Sequence, residues 1–398
     1  MKIEIGTASR DEIGPFLRPI SVAFGNEPSG EESLDRFASL FEPERMHVAR
    51  EDGAIVGAAG AFTYELTVPG GLVPAAGITV VGVLPTHRRR GILTKLMREQ
   101  IDDVHARGEP VAYLWASEER IYGRFGYGIA SLALATEIDP GRIAFVYDAP
   151  RDARIRLLDE TAAYDVIPAL YERIRPEWPG MFSRTENWWR RRRLFDSPES
   201  QGTLFRAVLE VDGTPEAYAL YRVSMDFSAF AASMDVNEAL GTSTEATREI
   251  WRYLTSVDLV KTIKAARLPV DHPLVLMVDQ PRALKMRLGD GLWARLVDVE
   301  RALDARTLGD GDVVIDVRDA FCPWNEGRWR VTSGGAERTT ADAGIACDVT
   351  ALGSAYLGGF TWSQLSRSGR AAELQPGALA AADTLFGWDR SPWCPEIF

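Results

Sequence analysis

The chain has 398 residues, more than a single hydrophobic core usually supports, so its length predicts two or three domains. A hydrophobic fraction of 46% and a charged fraction of 26% are typical of globular proteins, and no run of about 18 apolar residues predicts a membrane span. The net charge of -12 argues against a nucleic-acid-binding protein, whose surface would carry a basic face, and suits cationic substrates.

Cysteine and histidine usage predicts neither a metal site nor a disulfide framework. The three cysteines, Cys322, Cys347 and Cys394, are odd in number and widely spaced, and the four histidines are scattered. The N-terminus alternates apolar and polar residues like a strand and lacks the apolar core of a signal peptide. The predicted location is therefore the cytoplasm.

Apolar spacing predicts two N-terminal helices, over 11–24 and 31–41, separated by a turn-rich loop over 25–30. A mixed α/β sheet follows, in which the last strand comes after a helix that ends at Gly108, a typical C-cap glycine. The predicted strands of this sheet cover residues 46–50, 54–67, 72–84 and 111–115.

The turn between the third of these strands and the helix is basic, with the sequence Arg88-Arg89-Arg90-Gly91. The first amides of a helix have no partner within the helix, and the helix dipole adds positive character, so a pyrophosphate fits there. Gly91 lets the backbone approach a phosphate, and Arg88 and Arg89 can add fork-shaped contacts. On composition alone, a solvated arginine run before a surface helix is an equally good interpretation.

Two segments resemble those of a known family. Residues 88–93 resemble the Arg/Gln-x-x-Gly-x-Gly/Ala acetyl-CoA signature of the GNAT superfamily of N-acetyltransferases, with Leu93 where Gly or Ala is usual. Residues 116–128 lie at the spacing where these enzymes place an active-site tyrosine. Together with the C-terminal end, 391–398, they resemble the Eis (enhanced intracellular survival) family, and the resemblance covers the whole chain.

The resemblance implies an α/β protein with mixed sheets, in which tandem GNAT folds precede a sterol-carrier-like domain. We expect a catalytic, acetyl-CoA-binding domain over 1–145 and a second acetyltransferase-like domain without a cofactor motif over 146–290. A sterol-carrier-like domain that delivers the C-terminal carboxylate is expected over 291–398. The first boundary agrees with a polar, proline-containing stretch over 147–152.

The family resemblance also implies direct transfer of acetyl from acetyl-CoA to an amine, with no metal. The strands beside the basic turn are expected to splay apart, which frees backbone groups for the pantetheine arm. The residues that match the family's cofactor contacts are Val81, Val83, Arg88, Arg89, Gly91 and Ile92.

Tyr122 matches the catalytic tyrosine of the family. A phenol with a pKa of about 10 keeps its proton at neutral pH and can give it to the departing thiolate. Its alternative is a packing role in a Gly-rich turn, the role that we assign to the nearby Tyr127. Ser117 is expected to cap the helix that carries Tyr122 or to contact the cofactor sulfur, and capping is favoured.

The acceptor side of the cleft is implied at Phe24 and Asn26, with core packing as the alternative for the phenylalanine. The terminal carboxylate of Phe398 is implied to enter the cleft, where it would attract an ammonium and accept its proton through water. A frayed terminus is the alternative. The family implies cationic polyamine substrates such as aminoglycosides, and a homohexamer.

In the middle and C-terminal regions, helices and strands continue to alternate, and an apolar run over 274–278 predicts a strand. For the aromatic and basic run over 188–193, a solvated helix face or subunit contact is favoured over nucleic-acid binding. Two other functions stay open: a protein-lysine N-acetyltransferase, and a non-enzymatic lipid or sterol carrier. The resemblance also admits export by a route that leaves no signal.

Overall fold

The computed structural model describes residues 2–26, 30–147, 153–197, 200–228 and 230–398. The chain forms two compact units, which interleave along the sequence. The first contains the residues up to Ser131 with Leu292–Asp389 and Ile397–Phe398, and the second contains Leu132–Gly291 and Arg390–Glu396. Residues 27–29 of the predicted loop and 148–152 of the predicted linker lie outside the described residues.

The N-terminal part of the first unit matches the predicted succession of helices and strands. Its elements are β1 (Ile3–Thr7), α1 (Ile13–Ala23), α2 (Glu31–Ala38), β2 (Met46–Glu51), β3 (Ala54–Val68), β4 (Gly71–Val83), α3 (Ile92–Ala106), β5 (Val111–Trp115), α4 (Glu119–Tyr122) and β6 (Gly128–Ile129).

The second unit supplies the next group of elements. They are β7 (Leu132–Ile138), β8 (Ala153–Leu157), α5 (Glu160–Ile174), α6 (Glu186–Trp188), β9 (Thr203–Val211), β10 (Thr214–Asp226), β11 (Ala231–Gly241), α7 (Thr244–Thr255), β12 (Val260–Leu268), α8 (Leu274–Met277) and β13 (Arg287–Asp290).

From Leu292 the chain again belongs to the first unit. The helices and strands of this part are β14 (Leu292–Leu296), α9 (Val299–Asp304), β15 (Asp312–Arg318), β16 (Gly327–Thr332), β17 (Gly335–Arg338), β18 (Ile345–Asp348), α10 (Val349–Tyr356), α11 (Trp362–Arg367), β19 (Ala371–Glu373) and α12 (Ala378–Phe386).

The described residues form three mixed sheets, and two of them share one topology. The first has the order β1-β2-β3-β4-β5-β14-β6, and the second reads β8-β9-β10-β11-β12-β7-β13 from its opposite edge. In each, the fourth and fifth strands are parallel and are joined by a helix, α3 or α7, whereas the other pairs are antiparallel. The third sheet, with the order β17-β16-β15-β18-β19, lies in the first unit.

Small residues let helices cover the first sheet closely on both faces. Ala59 on β3 packs with Ile92 and Leu96 of α3. The adjacent Gly60 faces the other way, because a Cβ there would lie 3.0 Å from the ring of Phe16 on α1. Because successive side chains of β3 point to opposite faces, α3 covers one face of this strand and α1 covers the other. β4 and α3, which flank the basic turn, therefore pack on a sheet that is buried on both sides.

β14 joins the first sheet after the chain has built the second. Arg295 on this strand is completely buried, and its Nη2 donates hydrogen bonds to both carboxylate oxygens of Asp319, at 3.0 and 2.7 Å. Its Nη1 donates to the carbonyl of Phe125 at 2.6 Å. Gly126 follows with φ of 88°, and a Cβ there would lie 1.4 Å from that Nη1. Only glycine fits where this arginine holds the segment after α4.

The three-domain division of the sequence stays a prediction, and the structure differs from it at two strands. β7 precedes the expected boundary at residue 145 but pairs in the second sheet, and β14 follows the expected boundary at residue 290 but pairs in the first. In each sheet, this strand lies beside the second strand of the parallel pair: β7 beside β12, and β14 beside β5. Sequence order alone does not reveal to which sheet either strand belongs.

One local prediction is wrong, and another holds in part. The apolar run over 274–278 is mostly the short helix α8, since a run of this length has no periodicity that separates a strand from a buried helix. The basic run over 188–193 is solvated in part, since Arg190 and Arg191 are exposed whereas the side chain of Arg193 is only 10% exposed and pairs with Glu238 at 3.1 Å; the subunit contact stays a prediction. Among the described residues, no helix is long and apolar enough to cross a membrane.

Candidate active site

The parallel strands of the first sheet diverge, as the family resemblance implies. Within the described residues, β4 pairs with β5 only along Ala75–Gly77, although β4 continues to Val83. Val80 has φ of 53°, an unusual value for a β-branched residue, and the register with β3 shifts at the same place. This β-bulge bends β4 next to the turn. The backbone groups of 81–83 on the side of β5 are consequently available to a ligand.

The basic turn leaves the N-terminus of α3 open. Gly91 precedes the helix with φ of 75° and, within the described chain, no side chain caps the first amides. A Cβ on Gly91 would meet nothing within 4 Å, so there is space for a side chain. Glycine is favoured here because of the positive φ. Arg89 also has a positive φ, 62°. Turns of this kind direct backbone N–H groups into one concavity, which is a site for an anion.

The arginines of the turn have different partners. Arg90 and His87 both contact Glu51 at the end of β2, with Nη1 of Arg90 and Nε2 of His87 at 3.2 and 3.0 Å from Oε2. The hydrogen bond from Arg90, opposed by burial, lowers the pKa of Glu51. Arg88 and Arg89 are exposed and form no ion pair within the described chain. Glu51 therefore fixes the turn, and Arg88 and Arg89 remain for a ligand.

A cavity of about 540 Å³ adjoins this turn. It brings together most of the predicted cofactor, catalytic and acceptor residues, and Ser117 and Glu118 also line it. The predicted residues in its wall are Phe24, Val81, Val83, Arg88, Arg89, Gly91, Ile92 and Tyr122. Asn26 and Phe398 do not line it.

Tyr122 ends α4 at the wall of the cavity, and its side chain is 5% exposed. Burial raises the pKa of its phenol; a hydrogen bond with Ser117 opposes this effect, and the charge of Glu118 adds to it. The phenol therefore keeps its proton at neutral pH. The predicted cap is wrong, since Glu118 occupies the N-cap position of α4 and Ser117 bonds to the tyrosine instead.

Tyr127 lies away from the cavity and is completely buried. Its ring meets the ring of Tyr122 edge to face at 6.1 Å, and its hydroxyl has no hydrogen-bond partner in the described chain. It therefore packs behind the candidate acid, as the sequence predicts.

The C-terminus lies against β4. The hydroxyl of Thr79 donates a hydrogen bond to the terminal carboxylate of Phe398 at 3.1 Å. The Phe398 ring, 8% exposed, packs edge to face on Tyr64 and Tyr113, at 5.6 and 5.0 Å. A Cβ on Gly77 would lie 3.1 Å from this ring and 2.4 Å from that of Tyr64, so the glycine makes room for both. The terminus is ordered, and the frayed alternative is wrong.

Sequence reasoning missed the residues that receive the chain end. Thr79, Tyr64 and Tyr113 lie on three different strands and have the composition of ordinary strand residues, so no local pattern marks them.

On the acceptor side, Phe24 is 58% exposed, so the alternative that it packs in the core is wrong. Asn26 is exposed as well.

The matching junction of the second sheet is closed. Between β11 and α7, the hydroxyl of Ser243 accepts a hydrogen bond from the amide of Ala246 at 3.1 Å, which caps the helix. A Cβ on Gly241 would lie 2.5 Å from the amide nitrogen of Thr247, so the backbone there is tightly packed. Within the described residues, no group of three His, Cys, Asp or Glu side chains could hold a metal ion.

Comparison with known proteins identifies the family of the chain. Models of the acetyltransferase (GNAT) domain match residues 4–130 and 180–296, and the sterol carrier protein domain matches residues 299–395. An uncharacterized N-acetyltransferase of Streptomyces coelicolor is 41% identical over all of both chains, and N-acetyltransferase Eis of Mycobacterium tuberculosis is 34% identical over 94% of each. The crystal structure of Eis1 from Mycobacterium abscessus matches all of both chains at 38% identity with a TM-score of 0.88. With tandem GNAT folds followed by a sterol-carrier-like domain, the chain belongs to the Eis family of GNAT N-acetyltransferases.

Proposed function

We propose that this N-acetyltransferase transfers acetyl directly from acetyl-CoA to an amine of a cationic polyamine such as an aminoglycoside. The observation that carries the proposal is the cavity in which an uncapped helix N-terminus, two arginines without ion pairs in the described chain and a buried phenol share one wall. When bound, acetyl-CoA would supply the acetyl group as a thioester, and coenzyme A would leave as the thiol.

The donor fits the residues that the cavity offers. The open amides of α3, with Arg88 and Arg89, match the charge and shape of a pyrophosphate. The backbone of Val81 and Val83, on the diverging part of β4, can bond the amide-like pantetheine arm. Gly91 and Ile92 complete the contact at the start of the helix.

Tyr122 acts as the general acid. Departure of a thiolate is easier when a proton is donated to sulfur, and the buried phenol keeps a proton for this purpose. Ser117, which bonds to Tyr122, lines the same cavity. The chain forms no covalent intermediate with the acetyl group in this scheme.

The Phe398 carboxylate attracts the ammonium form of the acceptor and receives its proton through water, and Phe24 and Asn26 contact the acceptor. The net charge of -12 supports a cationic acceptor. Also proposed, from the family resemblance, are a homohexamer in the cytoplasm and the three domains 1–145, 146–290 and 291–398. The closed junction at Ser243 supports a middle domain that binds no cofactor.

The test measures thiol release from acetyl-CoA with aminoglycosides, linear polyamines and a lysine peptide as acceptors. Wild type is compared with a chain that carries one extra residue after Phe398, which moves the terminal carboxylate. We expect turnover on polyamines that the extension abolishes. Turnover on the peptide alone would indicate a protein-lysine acetyltransferase. The absence of both turnover and acetyl-CoA binding would overturn the proposal.

A further inference from the structure

A buried charge cluster in the second unit holds the chain near its end. Arg184 donates two parallel hydrogen bonds to Glu238, with Nη1–Oε1 and Nη2–Oε2 distances of 2.9 and 2.5 Å, and neither side chain is exposed. Glu396 joins this pair, since its Oε2 lies 3.1 Å from Nη2 of Arg184. The indole nitrogen of Trp188 donates to the same oxygen at 2.9 Å.

Two arginines of the π-helical turn Trp189–Arg193 complete the cluster. Nε of Arg192 donates to Oε1 of Glu396 at 3.0 Å, and Nη2 of Arg193 donates to Glu238 at 3.1 Å. Burial opposes ionisation of Glu396, but the charges of Arg193, Arg184 and Arg192 lower its pKa. Three guanidinium groups thus face two carboxylates, and each carboxylate stays ionised.

The backbone before Glu396 is also fixed within the second unit. The amide of Trp393 donates to the carbonyl of Pro179 at 2.7 Å, and Nε of Arg267 donates to the carbonyl of Pro395 at 3.0 Å. Gly180 has φ of 101°, and a Cβ there would lie 2.7 Å from the carbonyl oxygen of Trp393. The segment therefore occupies one defined path.

Stability alone does not explain a charged residue at position 396. Desolvation of a buried ion pair often cancels its attraction, and well-packed apolar side chains would stabilise the segment as much or more. What the cluster does provide is register. A slip of one residue would remove a carboxylate from three arginines and an indole N–H, and an unpaired buried charge is strongly destabilising.

We propose that Glu396 is a positioning residue that fixes the register of the chain end through Arg184 and Arg192. Two residues later the chain ends at Phe398, whose carboxylate bonds to Thr79. Since a residue spans at most about 3.6 Å, a slip at Glu396 moves the terminal carboxylate by up to that distance. The inference rests on the proposed function, in which this carboxylate receives the amine's proton.

The test compares Glu396→Ala and Glu396→Gln with wild type, using steady-state kinetics with a polyamine acceptor. We expect Glu396→Ala to lower kcat about 10- to 100-fold, the range for a misplaced reacting group, with the KM for acetyl-CoA unchanged. Glu396→Gln keeps the shape and the bond from Trp188, so we expect a smaller loss. Added acetate should restore part of kcat in Glu396→Ala, because a free carboxylate can replace a displaced one.

Glu249→Ala is the matched control. Glu249 is also buried in the second unit and bonds to two arginines, Arg248 and Arg252, but it does not contact the tail. Its substitution should lower the thermal midpoint without lowering kcat. An equal kcat in wild type and Glu396→Ala would overturn the positioning role. The role would also be overturned if acetate did not restore kcat in Glu396→Ala and Glu249→Ala lost as much kcat. Wild-type turnover after extension beyond Phe398 would instead overturn the proposed role of the carboxylate.

Discussion

Tyr122 and Tyr127 touch each other, yet only Tyr122 borders the cavity. Loss of a general acid typically lowers a rate 10²- to 10⁴-fold, so we expect Tyr122→Phe to lower kcat by about that factor. The KM for acetyl-CoA should stay the same, because the turn at Arg88 is unchanged. Steady-state thiol release measures both constants.

Tyr127→Phe is the control for this prediction. The hydroxyl of Tyr127 is buried without a hydrogen-bond partner in the described chain, so its removal should leave kcat unchanged and raise the thermal midpoint slightly. A wild-type kcat in Tyr122→Phe, or a comparable loss in Tyr127→Phe, would contradict the assignment of the acid.

His272 predicts a pH dependence of stability. Burial lowers its pKa from 6.5 to about 4, and its Nδ1 accepts a hydrogen bond from the amide of Leu274 at 3.1 Å. The neutral ring is favoured in the folded state, so the stabilisation is complete above pH 6.5 and is lost as the pH falls towards 4. At 1.36 kcal/mol per pKa unit, we expect the free energy of unfolding to fall by about 3 kcal/mol over this interval.

His272→Asn tests the sign of this effect. An amide oxygen at this position can accept the bond from Leu274 without becoming protonated. Urea unfolding between pH 7 and pH 4 should therefore give a smaller loss of free energy in the variant than in wild type. Parallel curves for the two proteins would show that another group causes the acid sensitivity.

At the scale of an element, the proposed function predicts that the open N-terminus of α3 determines the affinity for acetyl-CoA. A charge-assisted contact contributes about 1.5 to 3 kcal/mol, so Arg88→Ala and Arg89→Ala should each raise the KM for acetyl-CoA about tenfold or more. The change in kcat should be small, because neither arginine reaches the reacting atoms. High salt should raise the KM of wild type more than that of the double variant.

Arg107→Ala is the matched control, since Arg107 follows the opposite end of α3 and pairs with Asp103 at 2.9 Å. It should leave both kinetic constants unchanged. A KM unaffected by loss of both Arg88 and Arg89 would show that the donor does not use the turn.

What the sequence could predict at this scale depends on how local the cause is. The turn at Gly91, the glycine that ends α3 and the long strands follow from spacing along the chain, and the structure has them, with Gly108 directly after the C-cap Arg107. The bulge at Val80 could not be predicted, because it arises where β4 leaves β5. Glu51 and Thr79 have roles only through partners far along the chain, Arg90 and Phe398, and a single sequence carries no record of such pairs.

At the scale of the whole molecule, β14 makes the first sheet depend on a distant segment. It pairs with both β5 and β6, and Arg295 on it holds the carbonyl of Phe125. A fragment of residues 1–131 lacks this strand and leaves two sheet edges unpaired. We expect the fragment to be largely unfolded or aggregated, as circular dichroism and size-exclusion chromatography would show.

A fused version of the fragment is the control. Residues 1–131 joined by a short flexible linker to 292–398 restore β14 and its arginine, so this chain should have cooperative thermal unfolding. A cooperatively folded, monomeric 1–131 fragment would show that β14 is dispensable.

The exchange of β7 and β14 between the two sheets also constrains the order of events on the ribosome. Proteins usually fold domain by domain from the N-terminus as they emerge. Here the first sheet is incomplete until Leu296 is made, so the nascent chain carries an incomplete sheet while residues 132–291 of the second unit are translated. The second sheet has all its strands by Asp290 and can close first. Synthesis from the N-terminus thus makes every strand of the second sheet available before the first sheet has all of its own.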